Sequence, residues 1–499
     1  MAEDLKQAAA KGLFWGGVSN GLQQLLNLAF GIFLCRILSE DDYGMVGMLA
    51  IFAAIANAIQ ESGFRSAITN RKNITHADYN SVFWVSLELG VVLYIILFLS
   101  VPLIADFFHT PELVPLGRFL FLGFLISSTG TAHNAYLFKN LKVKEMSKAT
   151  LLATLVSGGV ALVMALNGMA YWGIATQNVV YITVSTLMFW RYSDFKPNFQ
   201  FSLQPVKEML PFSSKLLITT IFHLLNENFF TTLLGHYFTK KDVGYYYNGY
   251  KWTNTGTQTI SLAIENVMQP VMSKAGDGDR LRVFCKLLEV TAFISMPCMI
   301  GLALIAPEFI SITIGDKWLP SADIMMVLCV WGAFFPICQV YQKQLLSAGK
   351  SGEMMFCVIS RCAVQIAVVA LTFRYGILTM VASGTAANVL SILVVHYFVR
   401  RINGVSLWMF FRAVFPFVIV AALSVTAGYF AACWLDGEWA RVAVKIAVTG
   451  AVYLGALWVA RVGVMSEAVE FLRRMMQKKN KYKKVKNYVK SPIANTAKT

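Results

Sequence analysis

Charge is scarce in this chain. Asp, Glu, Lys and Arg make up 14% of its residues, where a soluble globular domain carries about a quarter. Together with 57% apolar residues and a mean hydropathy of +0.58, this scarcity excludes a soluble globule and leaves a polytopic membrane protein. The apparatus of catalysis is also missing. No nucleotide motif, metal-ligand cluster or nucleophile–base pair falls in any connection, and the external connections are short, so an enzyme is not expected. The eight cysteines (Cys35, Cys285, Cys298, Cys329, Cys338, Cys357, Cys362 and Cys433) are scattered through apolar stretches without metal spacing. They read as small packing residues, with neither disulfides nor a metal expected. No cleavable signal is expected either, because Lys6 and Lys11 precede an apolar run that continues for a full span.

What is present is a succession of about fourteen apolar stretches, near 12–38, 43–66, 80–105, 115–138, 148–168, 171–191, 209–236, 243–272, 284–314, 318–346, 353–373, 376–399, 408–434 and 440–464. Each approaches the roughly 20 residues that a spanning helix needs. The tenth and eleventh are the least cleanly separated. Alternate connections hold the positive charge: Arg71 and Lys72; Lys139, Lys142, Lys144 and Lys148; Arg191, Lys196 and Lys207; Lys274, Arg280 and Arg282; Lys343 and Lys350; Arg400 and Arg401. The intervening connections are poor in it, Lys240 and Lys241 being the main exception. Since cytoplasmic loops carry the Lys and Arg, both termini are expected in the cytoplasm. The +16 net charge then needs no nucleic acid. Much of it sits in a tail holding Arg473, Arg474, Lys478, Lys479, Lys481, Lys483, Lys484, Lys486 and Lys490, suited to anionic lipid headgroups.

The pattern repeats at an offset of about 200 residues. Ser39, Asp42 and Gly44 recur as Thr239, Asp242 and Gly244. Leu87-Glu88-Leu89 is echoed by Leu288-Glu289-Val290, and Leu103-Ile104-Ala105, then Asp106 and Phe107, by Leu304-Ile305-Ala306, then Glu308 and Phe309. An even period implies parallel copies about a pseudo-two-fold along the membrane normal. The expected architecture is therefore an all-α membrane protein with two parallel six-helix lobes around a central cavity and two extra C-terminal helices. The lobes are residues 1–192 and 211–402, joined by a cytoplasmic linker at 193–210; the extra helices occupy 403–464 and the basic tail 465–499. Pro297, Pro336 and Pro416 fall inside apolar stretches, where each removes a backbone donor and favours a kink.

Polar residues inside the stretches mark the candidate site. The first carries Asn20, Gln24 and Asn27 at helical spacing, with Gln23 beside them; the second adds Asn57, Gln60, Glu61 and Arg65. The seventh supplies Lys215, His223, Asn226, Glu227 and Asn228. The eighth gives the longest stripe, through Lys251, Asn254, Gln258, Glu265 and Gln269, with Ser261 in the gap. A centrally placed Lys, Arg or Asp costs about +2.5 to +3.5 kcal/mol on an insertion scale, which argues for a water-filled cavity. Bonding from helix to helix is the alternative for any single amide. Lys215, Lys251 and Arg361 suit an anionic cargo group such as phosphate, and Arg65 could as well snorkel. Glu61, Glu227 and Glu265 could take up H+ or Na+ or simply neutralise a neighbouring cation. His133 and His223 fit core positions better than a proton relay. No other cofactor is expected.

Gly12-Leu13-Phe14-Trp15, then Arg36-Ile37-Leu38-Ser39 with Asp42-Tyr43-Gly44, then Ser62-Gly63-Phe64, Ala67-Ile68 and Asn70-Arg71-Lys72, continuing through Phe83-Trp84 and Ile104-Ala105-Asp106-Phe107-Phe108, carry a resemblance. The chain resembles the polysaccharide-exporter branch of the multidrug/oligosaccharidyl-lipid/polysaccharide (MOP) transporter superfamily, nearest to Wzx-type flippases and the colanic-acid and teichuronic-acid exporters. The likeness is strongest over the first 140 residues or so. It implies fourteen helices in two lobes, the bacterial inner membrane, and a polyprenyl-pyrophosphate-linked oligosaccharide as cargo. It also implies alternating access driven by an ion gradient, with a polysaccharide polymerase and glycosyltransferases as pathway partners. A multidrug or cation antiporter of the same superfamily is the alternative, which Lys215, Lys251 and Arg361 disfavour. A membrane-embedded polymerase or ligase is the other, disfavoured by the short connections.

Overall fold

The computed structural model describes residues 2–61, 68, 74–199, 204–274, 280–460, 462, 463 and 465, and every regular element among them is helical. In chain order these are α1 (Ala2–Ile37), α2 (Glu40–Glu61), α3 (His76–Phe107), α4 (Leu113–Ser128), α5 (Thr131–Lys139), α6 (Val143–Leu166), α7 (Tyr171–Tyr192), α8 (Gln204–Tyr237) and α9 (Lys240–Lys274). There follow α10 (Arg280–Leu304), α11 (Ala306–Ile314), α12 (Leu319–Ser347), α13 (Ser351–Thr372), α14 (Ile377–Leu390), α15 (Ile392–Asn403), α16 (Leu407–Ala432) and α17 (Glu438–Val459). Among the described residues nine helices are long and apolar enough to cross a membrane, or ten if α4 and α5, bent by 47°, count as one span. The basic tail from Arg473 onward lies outside the described residues.

The repeated Ser/Thr, Asp and Gly residues have a structural reason. Asp42 Oδ2 accepts hydrogen bonds from the backbone N–H of Ser39 at 2.9 Å and its hydroxyl at 2.7 Å, while Asp42 N–H donates to Ser39 Oγ at 3.2 Å. Thr239 and Asp242 repeat all three bonds at 3.2, 2.7 and 3.2 Å. Each motif is a capping box that satisfies the free amides at the start of α2 and of α9. The glycine two residues on lets these two starts cross. A Cβ on Gly44 would stand 2.0 Å from the carbonyl oxygen of Lys240, and one on Gly244 would stand 2.1 Å from that of Glu40.

Breaks inside the apolar stretches follow local chemistry. The stretch at 284–314 divides at Ile305, with Pro307 in the first turn of α11, where a missing N–H costs nothing. Gly349, at φ +72°, ends α12 and separates the tenth and eleventh stretches. Pro297, Pro336 and Pro416 all lie inside helices.

The chain divides into two compact units. One comprises Met1–Trp252, Ile310–Met325 and Met355–Asn388. In it α1 packs on α6, where the Phe30 ring fills the space over Gly158, and α2 packs on α8. α14 meets α8 where the Phe230 ring lies over Gly384. Tyr79, Val82, Phe83, Ala132, Ala135 and Phe195 form a buried cluster, and His133, itself buried, lies against it with its ring tilted to that of Trp190 at 4.2 Å. The segment after α7 is strapped to this cluster. Asn198 N–H donates to Asn80 Oδ1 at 2.9 Å, Trp84 Nε1 donates to the Asn198 carbonyl at 2.7 Å, and Lys142 Nζ pairs with Asp194 at 2.5 Å. That ion pair holds the exposed Asp194 carboxyl below the usual carboxylate range.

The other unit comprises Thr253–Phe309, Met326–Met354 and Val389–Thr499. Here α16 packs on α10 and α17 on α16, closest at Gly428, whose Cβ would stand 2.3 Å from Thr449 Oγ1. Tyr341 hydroxyl and His396 Nδ1 are 2.9 Å apart in its core.

Candidate functional site

One face of α1 is polar between Asn20 and Cys35. Asn20, Gln24, Asn27, Gly31 and Cys35 follow at spacings of four, three, four and four, which at about 100° per residue keeps them in one stripe. Asn20, Gln24 and Asn27 are exposed; Gly31 and Cys35 are buried. The start of α9 covers the buried end. Cys35 Sγ donates to Asn248 Oδ1 at 3.3 Å, and the Lys251 ammonium lies over Gly31, 3.4 Å from where a Cβ would stand. That ammonium is 5.9 Å from the Tyr43 ring centre and 6.0 Å from that of Trp252, within reach of both ring faces. Beside the stripe, Gln23 Nε2 donates to the Tyr181 hydroxyl at 3.3 Å. The arrangement is a row of amide donors and acceptors, open at one end and ending on a cation at the other.

Of the remaining candidates, Asn57 is exposed on α2. Glu227 is half-buried on α8, close enough to Tyr246 and Tyr250 to act on both phenols. Arg361 and Gln365 lie one turn apart on α13, 6% and 2% exposed, where Cys362 donates to the Phe222 carbonyl of α8 at 3.6 Å. Arg361 is thus packed inside the unit that holds α1. Asn254 and Gln258 are half-buried on α9 and belong to the other unit. Arg65 and the side chains of Gln60, Glu61, Lys215, His223, Asn226, Glu265 and Gln269 lie outside the described residues.

The helix ends beyond Lys251 are closed by reciprocal caps. Arg36, in the last turn of α1, donates from Nε to the Thr313 carbonyl at 2.7 Å and from Nη2 to the Ile312 carbonyl at 2.6 Å, satisfying the end of α11. In return Lys317 Nζ donates to the Leu38 carbonyl at 2.6 Å and Trp318 Nε1 to the Cys35 carbonyl at 2.8 Å, satisfying the end of α1. The second copy repeats the idea with other residues. His236, 200 residues after Arg36, donates from Nδ1 to the Phe107 carbonyl at 2.6 Å; because a carbonyl only accepts, Nδ1 carries the proton. Its ring stacks on Phe107 at 4.3 Å, and Lys240 Nζ reaches Glu112 Oε2 at 3.3 Å. An N–H of its own backbone, then Lys240, hold the Glu112 carboxyl below its ordinary range.

Sequence reasoning missed several of these groups. Asn248, one turn before Lys251, extends the α9 stripe and was detectable from its spacing. Arg36 and His236 gave only their shared offset as a signal. The buried pair of Lys445 with Glu308, joined at 2.5 Å, had none beyond one lysine in an apolar stretch.

An all-helical protein with this many apolar spans and a polar stripe exposed along one of them is a multi-pass membrane transporter. The polysaccharide biosynthesis protein family matches at residues 33–323, more than half of the chain, and the chain belongs to that family. Among its relatives, the lipopolysaccharide biosynthesis protein WzxC of Escherichia coli (strain K12) is 27% identical over 66% of this chain and 68% of its own. The teichuronic acid biosynthesis protein TuaB of Bacillus subtilis (strain 168) is 23% identical over 83% and 87%. Among solved structures, the lipid II flippase MurJ in an inward closed conformation superposes with a TM-score of 0.72 at 14% identity, covering 92% of this chain and 99% of that one. The chain therefore shares the fold of MurJ.

Proposed function

We propose that the chain flips a polyprenyl-pyrophosphate-linked oligosaccharide, the repeat unit of a surface polysaccharide, across the bacterial inner membrane by alternating access coupled to an ion gradient. The observation that carries this reading is the α1 stripe, whose exposed amides lead to the Lys251 ammonium. Amides bond sugar hydroxyls, and an ammonium suits pyrophosphate or an acidic sugar. WzxC, named for lipopolysaccharide biosynthesis, TuaB, named for teichuronic acid biosynthesis, and the lipid II flippase MurJ support it. On this reading two six-helix lobes, 1–192 and 211–402, alternate around the stripe, and the helices of 403–464 stand outside the repeat. Arg361 contributes a second cation, Glu227 and the remaining acids are candidates for taking up the coupling ion, and the basic tail rests on anionic lipid. A polymerase and glycosyltransferases act on the same lipid-linked sugars.

A deletion strain should accumulate lipid-linked repeat units on the cytoplasmic leaflet and lose surface polysaccharide, with the intact gene restoring it. Lys251→Ala and Arg361→Ala should reach the membrane in normal amounts and export less. Unchanged export in both variants removes the cation argument, and normal polysaccharide with altered drug sensitivity replaces the reading with a drug antiporter.

A further inference from the structure

We propose that Glu308 and Lys445 form a proton-coupling site, an inference that rests on the gradient-driven transport proposed above. Glu308 lies in the first turn of α11 and Lys445 within α17, a helix long and apolar enough to span a membrane. Their side chains are 12% and 7% exposed. Lys445 Nζ donates to Glu308 Oε1 at 2.5 Å and to the Leu304 carbonyl at 3.1 Å. Glu308 Oε2 is buried and accepts no hydrogen bond from any described residue.

Three observations argue against a mere tether. A static ion pair in a dry interior contributes little net stability, since well-packed apolar residues of the same volume do as well or better. A tether would also use both carboxylate oxygens, whereas this one leaves an acceptor empty in a place where that is costly. Finally, the pair has space beside it: Lys445 lines a cavity of about 480 Å³ between α10 and α17, whose walls are mostly apolar, Phe293, Pro297, Leu302 and Ile446 among them, with Thr449 and Tyr453 as polar exceptions. Pro297 interrupts the hydrogen-bond ladder of α10 at that point, so the helix wall of the cavity is the segment least able to resist bending.

The cycle follows from the charges. With Glu308 ionised the pair is neutral and closed. When the carboxylate takes one proton, the pair becomes +1, the charge attraction between the two ends, and the ammonium is held, among the described residues, only by the Leu304 carbonyl at the edge of the cavity. Release of the same proton restores the closed pair. Na+ fits this site poorly, because the adjacent ammonium repels a second cation brought to the same carboxylate. Besides the pair, the titratable groups facing it among the described residues are Tyr429 of α16, whose ring centre is 6.0 Å from Lys445 Nζ, and Tyr453 and Cys298 across the cavity. Tyr453 is engaged, its hydroxyl donating to the Phe293 carbonyl at 3.0 Å. The corresponding acid of the first copy, Asp106, is exposed, so a second such site is not expected there.

The test uses the full chain in phosphatidylethanolamine–phosphatidylglycerol vesicles, titrated by infrared spectroscopy, and in the deletion strain, scored for surface polysaccharide. The expected result is a protonated-carboxyl band that grows as the pH is lowered and is lost in Glu308→Gln. In the strain, the double variant Glu308→Gln with Lys445→Met should insert as the wild type does and lose export. Absence of a Glu308-dependent band overturns the proposal. So does wild-type export by the double variant, or by the exchanged pair Glu308→Lys with Lys445→Glu, which would leave only a tether. If the unaltered chain fails to restore polysaccharide, the flippase reading falls separately, and the infrared titration alone decides whether Glu308 exchanges a proton.

Discussion

The two copies close their helix ends with different chemistry at the same repeat position. Arg36 holds two carbonyls of α11 with two N–H groups of one guanidinium, while His236 holds one carbonyl of α3 with a single N–H of its imidazole. What the copies share is the backbone requirement: the last carbonyls of a neighbouring helix must find a donor, and any donor of sufficient reach serves. The geometry is thus the same at both positions while the chemistry of the donor is exchanged.

The most damaging break should come at the glycines. Gly44→Ala or Gly244→Ala places a methyl group against a carbonyl oxygen of the opposing helix start, so α2 and α9 must separate. Each should lower stability by about 1–3 kcal/mol, as overpacking does. Thermal unfolding of the purified protein in detergent checks this, and an unchanged midpoint would show that the two starts do not meet. Next in size is the contrast of caps. Arg36→Ala removes two charge-assisted bonds and should cost roughly 1–3 kcal/mol, with His236→Ala costing less, about 1 kcal/mol. Equal losses in the same unfolding assay would refute the asymmetry.

The smallest effect should be at the strap after α7. The Asp194 carboxyl titrates lower in the folded protein than in the unfolded chain because Lys142 donates to it. Its contribution is therefore present above the ordinary carboxylate pKa and disappears as the pH falls through the lowered value. Being exposed, it should shift acid unfolding only slightly, and Asp194→Asn should abolish that shift without moving the neutral-pH midpoint. A large change at neutral pH would mean that the strap does more than hold a connection.

Much of this was legible in the residues. The hydroxyl, acid and glycine of each copy could be seen as a repeat because capping boxes and helix crossings demand those residue types locally. The polar stripe of α1 was legible because helical spacing alone puts Asn20, Gln24 and Asn27 on one face. Hydropathy did not reveal the breaks at Ile305 and between Ser128 and Thr131, since a broken helix is as apolar as a continuous one. Partners far apart in sequence were also hidden. Glu308 and Lys445 meet across 137 residues, and nothing near either residue names the other.

The paired glycine crossings have one more consequence. Gly44 lies against the backbone of residue 240 and Gly244 against that of residue 40, so each helix start is at once the wedge and the slot of the other. Two contacts related in this way share a single degree of freedom: neither can part by a bond's length while the other stays seated.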